Sequence, residues 1–146
     1  MGGVLDTNLL LYAANTDTPE NAPAVEFLSR AAASTEVWYL TEGICYEFLR
    51  AATHPAVFPQ PLSASEAMSF IDSLLEHESF RLLSASSRHW DTLRSIVAEL
   101  HHPSGNLFFD IRTAALMREH GVRKIYTSDR DFLQFSGLEA IDPLAG

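Results

Sequence analysis

The sequence predicts an α/β fold, with a mostly parallel central sheet covered by helices on both faces. Three observations lead there. Short apolar or β-branched runs alternate with helical patterns of roughly 10–15 residues, the mark of strand–helix–strand units. The composition, 47% apolar and 20% charged, is that of an ordinary globular chain. Acidic residues follow the strands at their carboxyl ends, the edge where open sheets bind ligands. A chain of 146 residues has room for one sizeable core, so residues 1–146 are read as a single domain.

The first strand is Val4-Leu5, to which Met1-Gly2-Gly3 is expected to add little. Asp6 closes it, and an apolar helix runs from Thr7 to about Asn15. Asp6 reads equally well as the cap of that helix and as a catalytic acid. The second helix starts near Asn21, tolerates Pro23 in its first turn, and carries Val25, Phe27, Leu28, Ala31 and Ala32 inward. Glu36 to Leu40 is the second strand, rich in aromatic and β-branched residues.

A helix from Thr41 to Thr53 follows, stopped ahead of Pro55 because the residue before proline avoids helical angles. Ile44, Phe48, Ala51 and Ala52 form its apolar face, while Tyr46, Arg50 and Thr53 point away. Glu47 lies at the margin of that face, where a carboxylate is costly unless partnered. Ser63 and Glu66 have capping-box spacing ahead of Ala67, Phe70, Ile71, Leu74 and Leu75. Phe80–Leu83 is the third strand. Ser86 or Ser87 then caps a helix with Trp90, Leu93, Val97 and Leu100 at core spacing. A helix from Asn106 to His120, apolar on most sides, ends at Gly121 and carries Asp110 in its first turn or so. Strands over 122–127 and 138–141 complete the pattern, with Ser128 to Phe132 leaving the first of them.

The net charge of −9 argues against a generally basic nucleic-acid binder. Even so, five of the ten basic residues fall between Arg112 and Arg130. The single cysteine, Cys45, excludes a disulfide framework and a Cys-rich zinc site, and it reads as a packing residue. No apolar run reaches the roughly 18 residues needed to cross a bilayer, and no signal-peptide pattern opens the chain, so a cytoplasmic protein is expected. His54, His101 and His102 lack the spacing of a helix-borne zinc site, and no phosphate-binding glycine loop or nucleophile elbow occurs.

Four acids stand out by position. Asp6 and Asp129 each follow a strand, and Glu47 and Asp110 sit on helices that otherwise turn inward. Each has a local explanation: a cap for Asp6, a pair with Arg50 for Glu47, a helix amino terminus for Asp110, a turn for Asp129. If they converge, like charges about 4 Å apart repel by roughly 4 kcal/mol at an effective dielectric near 20. A domain whose whole stability is about 5–15 kcal/mol then needs protons or a cation among them. Oxygen ligands without cysteine or clustered histidine suit Mg²⁺ or Mn²⁺.

The blocks Leu5 to Ala13, Glu47 to Pro55, Asp110 with Ala114-Ala115-Leu116 and Glu119 to Val122, and Thr127 to Phe132 keep one order across nearly the whole chain. Together they resemble the PIN-domain ribonucleases, and among these the VapC-type toxins of bacterial toxin–antitoxin modules. The resemblance implies a three-layer α/β/α sandwich with an acidic pocket for Mg²⁺ or Mn²⁺. It makes Asp6, Glu47, Asp110 and Asp129 the catalytic and metal-binding acids, with Asn8 and Thr127 as supporting polar residues. Asp131 competes for the fourth place, its other role being the cap of the short helix at Phe132. The implied reaction is hydrolysis of RNA phosphodiesters to a 3′-hydroxyl and a 5′-phosphate, with Arg112 and Arg130 available to phosphate. A cognate antitoxin whose tail fills the groove, a homodimer and no membrane are implied as well. The sequence departs from the family at Gly2-Gly3, which shortens the first strand, and at Phe108-Phe109, where a histidine or a small residue is usual. A PIN nuclease of RNA processing without toxicity and a catalytically silent PIN-like binding module are the competing readings.

Overall fold

The computed structural model describes residues 2–145. Five strands, β1 (Val4–Leu5), β2 (Trp38–Thr41), β3 (Phe80–Leu83), β4 (Lys124–Tyr126) and β5 (Glu139–Ile141), form one sheet in the order β3-β2-β1-β4-β5. Every pairing is parallel; Val4 lies between Tyr39 and Ile125. Six helices connect them among the described residues: α1 (Thr7–Ala14), α2 (Asn21–Ala33), α3 (Glu42–Ala52), α4 (Ala64–Leu75), α5 (His89–Glu99) and α6 (Leu107–His120). A 3-10 turn spans Arg130–Gln134. The chain steps outward from β1 to β3, then returns past β1 to β4. Since parallel crossovers are right-handed, that reversal puts helices on both faces.

The sheet centre is dry. Val4, Leu5, Leu40 and Ile125 are fully buried, and Leu9, Leu10, Phe48, Ile111 and Phe132 pack around them. Gly2 and Gly3 matter more than the sequence suggests; Met1 lies outside the described residues. A Cβ on Gly3 would sit 2.2 Å from the Lys124 carbonyl oxygen, and one on Gly2 would sit 2.0 Å from that of Val37. The absence of side chains lets β1 enter between its neighbours.

Local chemistry sets the helix ends. Thr41 ends β2 and caps α3 by accepting the Ile44 N–H at 3.0 Å, so the helix starts one residue later than its pattern suggests. Ser63 and Glu66 close a reciprocal capping box on α4. Gly121 ends α6 in the left-handed region, at φ 68°, where glycine carries no Cβ penalty.

Two inward faces differ from expectation. On α2, Ala24, Leu28 and Ala31 are buried while Val25 is exposed. On α5 the buried residue is Ile96, and Trp90 is 65% exposed in the first turn. Neither Ser86 nor Ser87 is the cap of α5. Ser86 lies ahead of the helix, where its Oγ accepts the Arg88 N–H at 3.1 Å.

Candidate active site

The strand order reverses beside β1, which pairs with β2 on one side and β4 on the other. A crevice opens at the carboxyl ends of strands at such a switch point. Asp6 follows β1 there, and Thr127, Ser128 and Asp129 follow β4.

Thr127 is the hub of this corner. It is 3% exposed, and its Oγ1 donates to Asp6 Oδ2 at 2.8 Å. The same oxygen accepts from Asn8 Nδ2 at 3.0 Å and from the Asp129 N–H at 2.9 Å. Asn8 also donates to Asp6 Oδ2 at 3.3 Å and accepts the Ser128 N–H at 3.2 Å. One hydroxyl and one amide thereby fasten the ends of β1 and β4 together.

Asp6 does cap α1, accepting the Thr7 N–H at 2.8 Å. Its cap role and its place in the crevice coexist. The Thr7 hydroxyl points the other way and donates to Glu47 Oε2 at 2.9 Å, which brings α3 to the same point. No Glu47–Arg50 ion pair forms among the described residues. Asp110 comes from the first turn of α6. Asp129, rather than Asp131, caps the 3-10 turn, by accepting the Asp131 N–H at 2.9 Å. Its backbone is extended where the cap must be, and this leaves the Asp131 carboxylate free to face the crevice.

All five acids line one cavity of about 870 Å³. One oxygen each from Asp110, Asp129 and Asp131 lies within 4.8 Å of the others. Arg112 and Arg50 also reach the cavity wall, whereas Arg130 is exposed and contributes nothing to it. The sequence pattern turns Arg50 away from the core, and so it is; the cavity lies beyond the apolar face of α3. No lysine or arginine pairs with any of the five acids among the described residues.

The field is visible in the carboxyl groups. Burial pushes Asp6 up to about 6, with Glu47 and Asp129 adding to the effect, against hydrogen bonds from Thr127 and Thr7 that favour its charged form. Burial likewise pushes Asp110 up to about 7, helped by Asp129, Asp6, Glu47 and Asp131. No hydrogen-bond donor opposes the push on Asp110, and four like charges add to it.

The donor set fits a hard divalent cation. It is all carboxylate oxygen, it carries unbalanced negative charge, and its spacing is close to that of ligands on one octahedral ion, about 3–4 Å apart. Cys45 is no competing nucleophile, since burial pushes its thiol up to about 11. His101 and His102 are exposed, and His54 Nδ1 accepts the Ala56 N–H at 3.0 Å.

Residues 3–138 match the PIN domain family. The chain belongs to the PIN-domain family. It is 31% identical to Ribonuclease VapC48 of Mycobacterium tuberculosis over 146 residues, the full length of both. It is 32% identical to Ribonuclease VapC33 of the same species over 139 residues, covering 95% of this chain and 96% of that protein. Within the family it is therefore of the VapC type. Among solved structures, VapBC2 from Rickettsia felis bound to a DNA fragment from its promoter matches with a TM-score of 0.69 at 17% identity, over 97% of this chain and 100% of that one. VapC20 of Mycobacterium tuberculosis, a Sarcin-Ricin loop cleaving toxin, matches with a TM-score of 0.65 at 15% identity, over 93% and 98%. At those identities the two structures speak for the fold, a PIN-like α/β/α sandwich.

A second buried polar cluster lies away from the crevice, and the sequence gives little sign of it. The side chain of Glu119, near the end of α6, is wholly buried. It accepts the Ser86 N–H at 2.8 Å and the Ser86 hydroxyl at 2.6 Å, and meets His89 Nδ1. Burial works against its charge, but the bonds from Ser86 and His89 win and hold the carboxyl below its usual range. Arg88 donates to the Glu119 carbonyl at 3.0 Å. The cluster ties the loop after β3 to α6, the helix that carries Asp110.

Proposed function

We propose that the acidic cavity hydrolyses RNA phosphodiester bonds with Mg²⁺ or Mn²⁺, leaving a 3′-hydroxyl and a 5′-phosphate. The observation that carries this is uncompensated charge: Asp6 and Asp110 are pushed to about 6 and about 7, and no basic side chain pairs with the acids among the described residues. Asp6, Asp110 and Asp129 would hold the ion, and Asp131 is close enough to Asp110 and Asp129 to share in it. The ion, when bound, supplies a Lewis acid for the phosphate oxygens and lowers the pKa of its water.

The chain's own residues do the rest. Glu47, oriented by the Thr7 hydroxyl, takes the proton from the attacking water. Thr127 and Asn8 fix the Asp6 carboxylate, and Thr127 fixes the Asp129 backbone, so the ligands are held before substrate arrives. Arg112, on the cavity wall, offers its guanidinium fork to a phosphate. The remaining partners follow from kinship: a cognate antitoxin that covers the cavity, a second copy of the chain in a homodimer, and action in the cytoplasm. The solved neighbours include VapBC from Salmonella typhimurium bound to DNA, which supports the antitoxin. No helix among the described residues is long and apolar enough to cross a membrane.

Asp6→Asn tests the site. The variant keeps an oxygen for the Thr7 N–H and should fold normally, while its Mn²⁺-dependent cleavage of RNA is lost. Cleavage at the wild-type rate would remove Asp6 from the machinery.

A further inference from the structure

Each helix that supplies an acid to the cavity also supplies an aromatic ring and an arginine. On α3 these are Tyr46, Glu47 and Arg50; on α6 they are Phe109, Asp110 and Arg112. In both, the ring immediately precedes the acid, one step around the helix and so at the rim of the cavity. Tyr46 is 71% exposed and Phe109 58% exposed, although both lie on the cavity wall. Neither ring packs against another aromatic among the described residues. Apolar faces of that size held open at the lip of an acidic site call for a ligand surface to cover them.

The arginines decide what kind of surface. Arg112 reaches across to α3, where its Nη1 lies 3.1 Å from where a Cβ on Gly43 would be. A side chain at 43 would push that guanidinium aside by a few tenths of an ångström. Neither Arg50 nor Arg112 is paired with an acid among the described residues. Exposed rings beside unpaired arginines, around a site for phosphate chemistry, suit a chain that alternates flat apolar bases with anionic phosphates. Stacking needs a base with a free face, and bases inside a duplex have none to offer.

We propose that Tyr46 and Phe109 are base-stacking platforms at the rim of the cavity, specificity residues that grip the nucleotides flanking the scissile phosphate. The proposal rests on the ribonuclease reading above and deepens it. The rings hold the nucleotides that flank the scissile phosphate, and the arginines hold the backbone between them. Tyr46 and Phe109 are thus specificity residues of the cavity.

The test uses the full chain with Mn²⁺ and a labelled, unstructured 20-nucleotide RNA, alone or annealed to its complement. Asp6→Asn serves as the common background for binding, so that the RNA stays intact. Tyr46→Ala and Phe109→Ala should each weaken binding of the single strand by roughly ten-fold, and Tyr46→Phe and Phe109→Tyr should restore it. The duplex should bind more weakly than the single strand and be indifferent to the alanine changes. Both rings are exposed, so the melting temperature should stay near that of the background protein. Unchanged single-strand affinity in the alanine variants, or an equal loss for single strand and duplex, overturns the proposal. Unchanged RNA affinity with loss of grip on a protein partner assigns the rings to that partner and overturns it too. The outcomes separate cleanly from the parent reading. If the wild-type chain leaves RNA uncut with Mn²⁺, the ribonuclease reading fails; if it cuts RNA and the alanine variants cut and bind as well, only the stacking proposal falls.

Discussion

Thr127→Val removes one oxygen and almost no volume, and it should damage the site at three points together. The Thr127 hydroxyl donates to Asp6 and accepts from both Asn8 and the Asp129 N–H. Losing a hydrogen bond to a carboxylate costs about 1.5–3 kcal/mol, and leaving the Asp129 N–H without an acceptor costs roughly another 1 kcal/mol. Asn8 is partly exposed and can turn to water, so it adds little. The total is about 2.5–4 kcal/mol. Each kcal/mol moves the midpoint of a domain this size by roughly 3–4 °C, so the melting temperature followed by circular dichroism should fall by roughly 8–16 °C. Cleavage should fall as well, since Asp6 and Asp129 lose a shared anchor, and the Asp6 carboxyl, now without the bond that favours its charge, should rise further above its usual range. Thr127→Ser keeps the oxygen and should recover most of both losses. A valine variant that melts within a degree of wild type and cuts RNA at the wild-type rate would refute the idea that this hydroxyl organises the site.

Two further outcomes concern the charge in the cavity. Mn²⁺ or Mg²⁺ bound only by the folded chain should raise the melting temperature, by an amount equivalent to about 2.7 kcal/mol when the ion is at a hundred times its dissociation constant; a curve indifferent to millimolar Mn²⁺ counts against the site. Without divalent ions, the two raised carboxyls should make the protein less stable as pH rises. Folded Asp6 and Asp110 hold protons that the unfolded chain has already lost, so their contribution is full below about pH 4 and disappears as pH climbs through about 6 and then about 7. Asp6, which is nearly buried, accounts for about 3 kcal/mol of that change, and Asp110, half exposed to solvent, for a screened share. Chemical denaturation between pH 5 and 8, compared with that of Asp110→Asn, should show the slope shrink in the variant; equal slopes would mean that Asp110 is not titrating there.

The sheet and the approach of the four acids were legible because each is written locally. A two-residue apolar strand ending on Asp6, a capping box at Ser63 and Glu66, and a glycine after His120 are signals a few residues long. What stayed hidden depends on distant partners. Glu119 reads as an ordinary helix acid, because Ser86 and His89, which make its burial tolerable, lie 33 and 30 residues upstream. On α5, Leu93, Val97 and Leu100 define a stripe whose margins are Trp90 on one side and Ile96 on the other. Only the packing of α5 against α6 decides that Ile96 goes in. The place of Arg50 at the cavity was hidden for the same reason, since a helical wheel separates core from not-core but does not separate a cavity wall from open solvent. Between Asp129 and Asp131 the sequence offers two acids at one strand end, and the cap went to the residue whose backbone is extended.

The crevice has two kinds of acid, which differ in how far the fold itself supports their charge. Asp6 is paid for within the fold: three donors from Thr7, Asn8 and Thr127 converge on it, and the same bonds weld β1 to β4. Glu47 receives one hydroxyl, from Thr7. Asp110 receives none among the described residues and still faces the other acids, so burial and like charge both push it up. A fold that only needed a negative residue at that point of α6 would have set it outward, as solvent allows at Glu99 on α5. Held half-buried opposite Asp129 and Asp131, its charge is relieved by the proton its raised pKa retains or by a bound cation. The first half of the site is thus built by folding, and the second half is an acidic cluster with the donor chemistry to take up a metal ion.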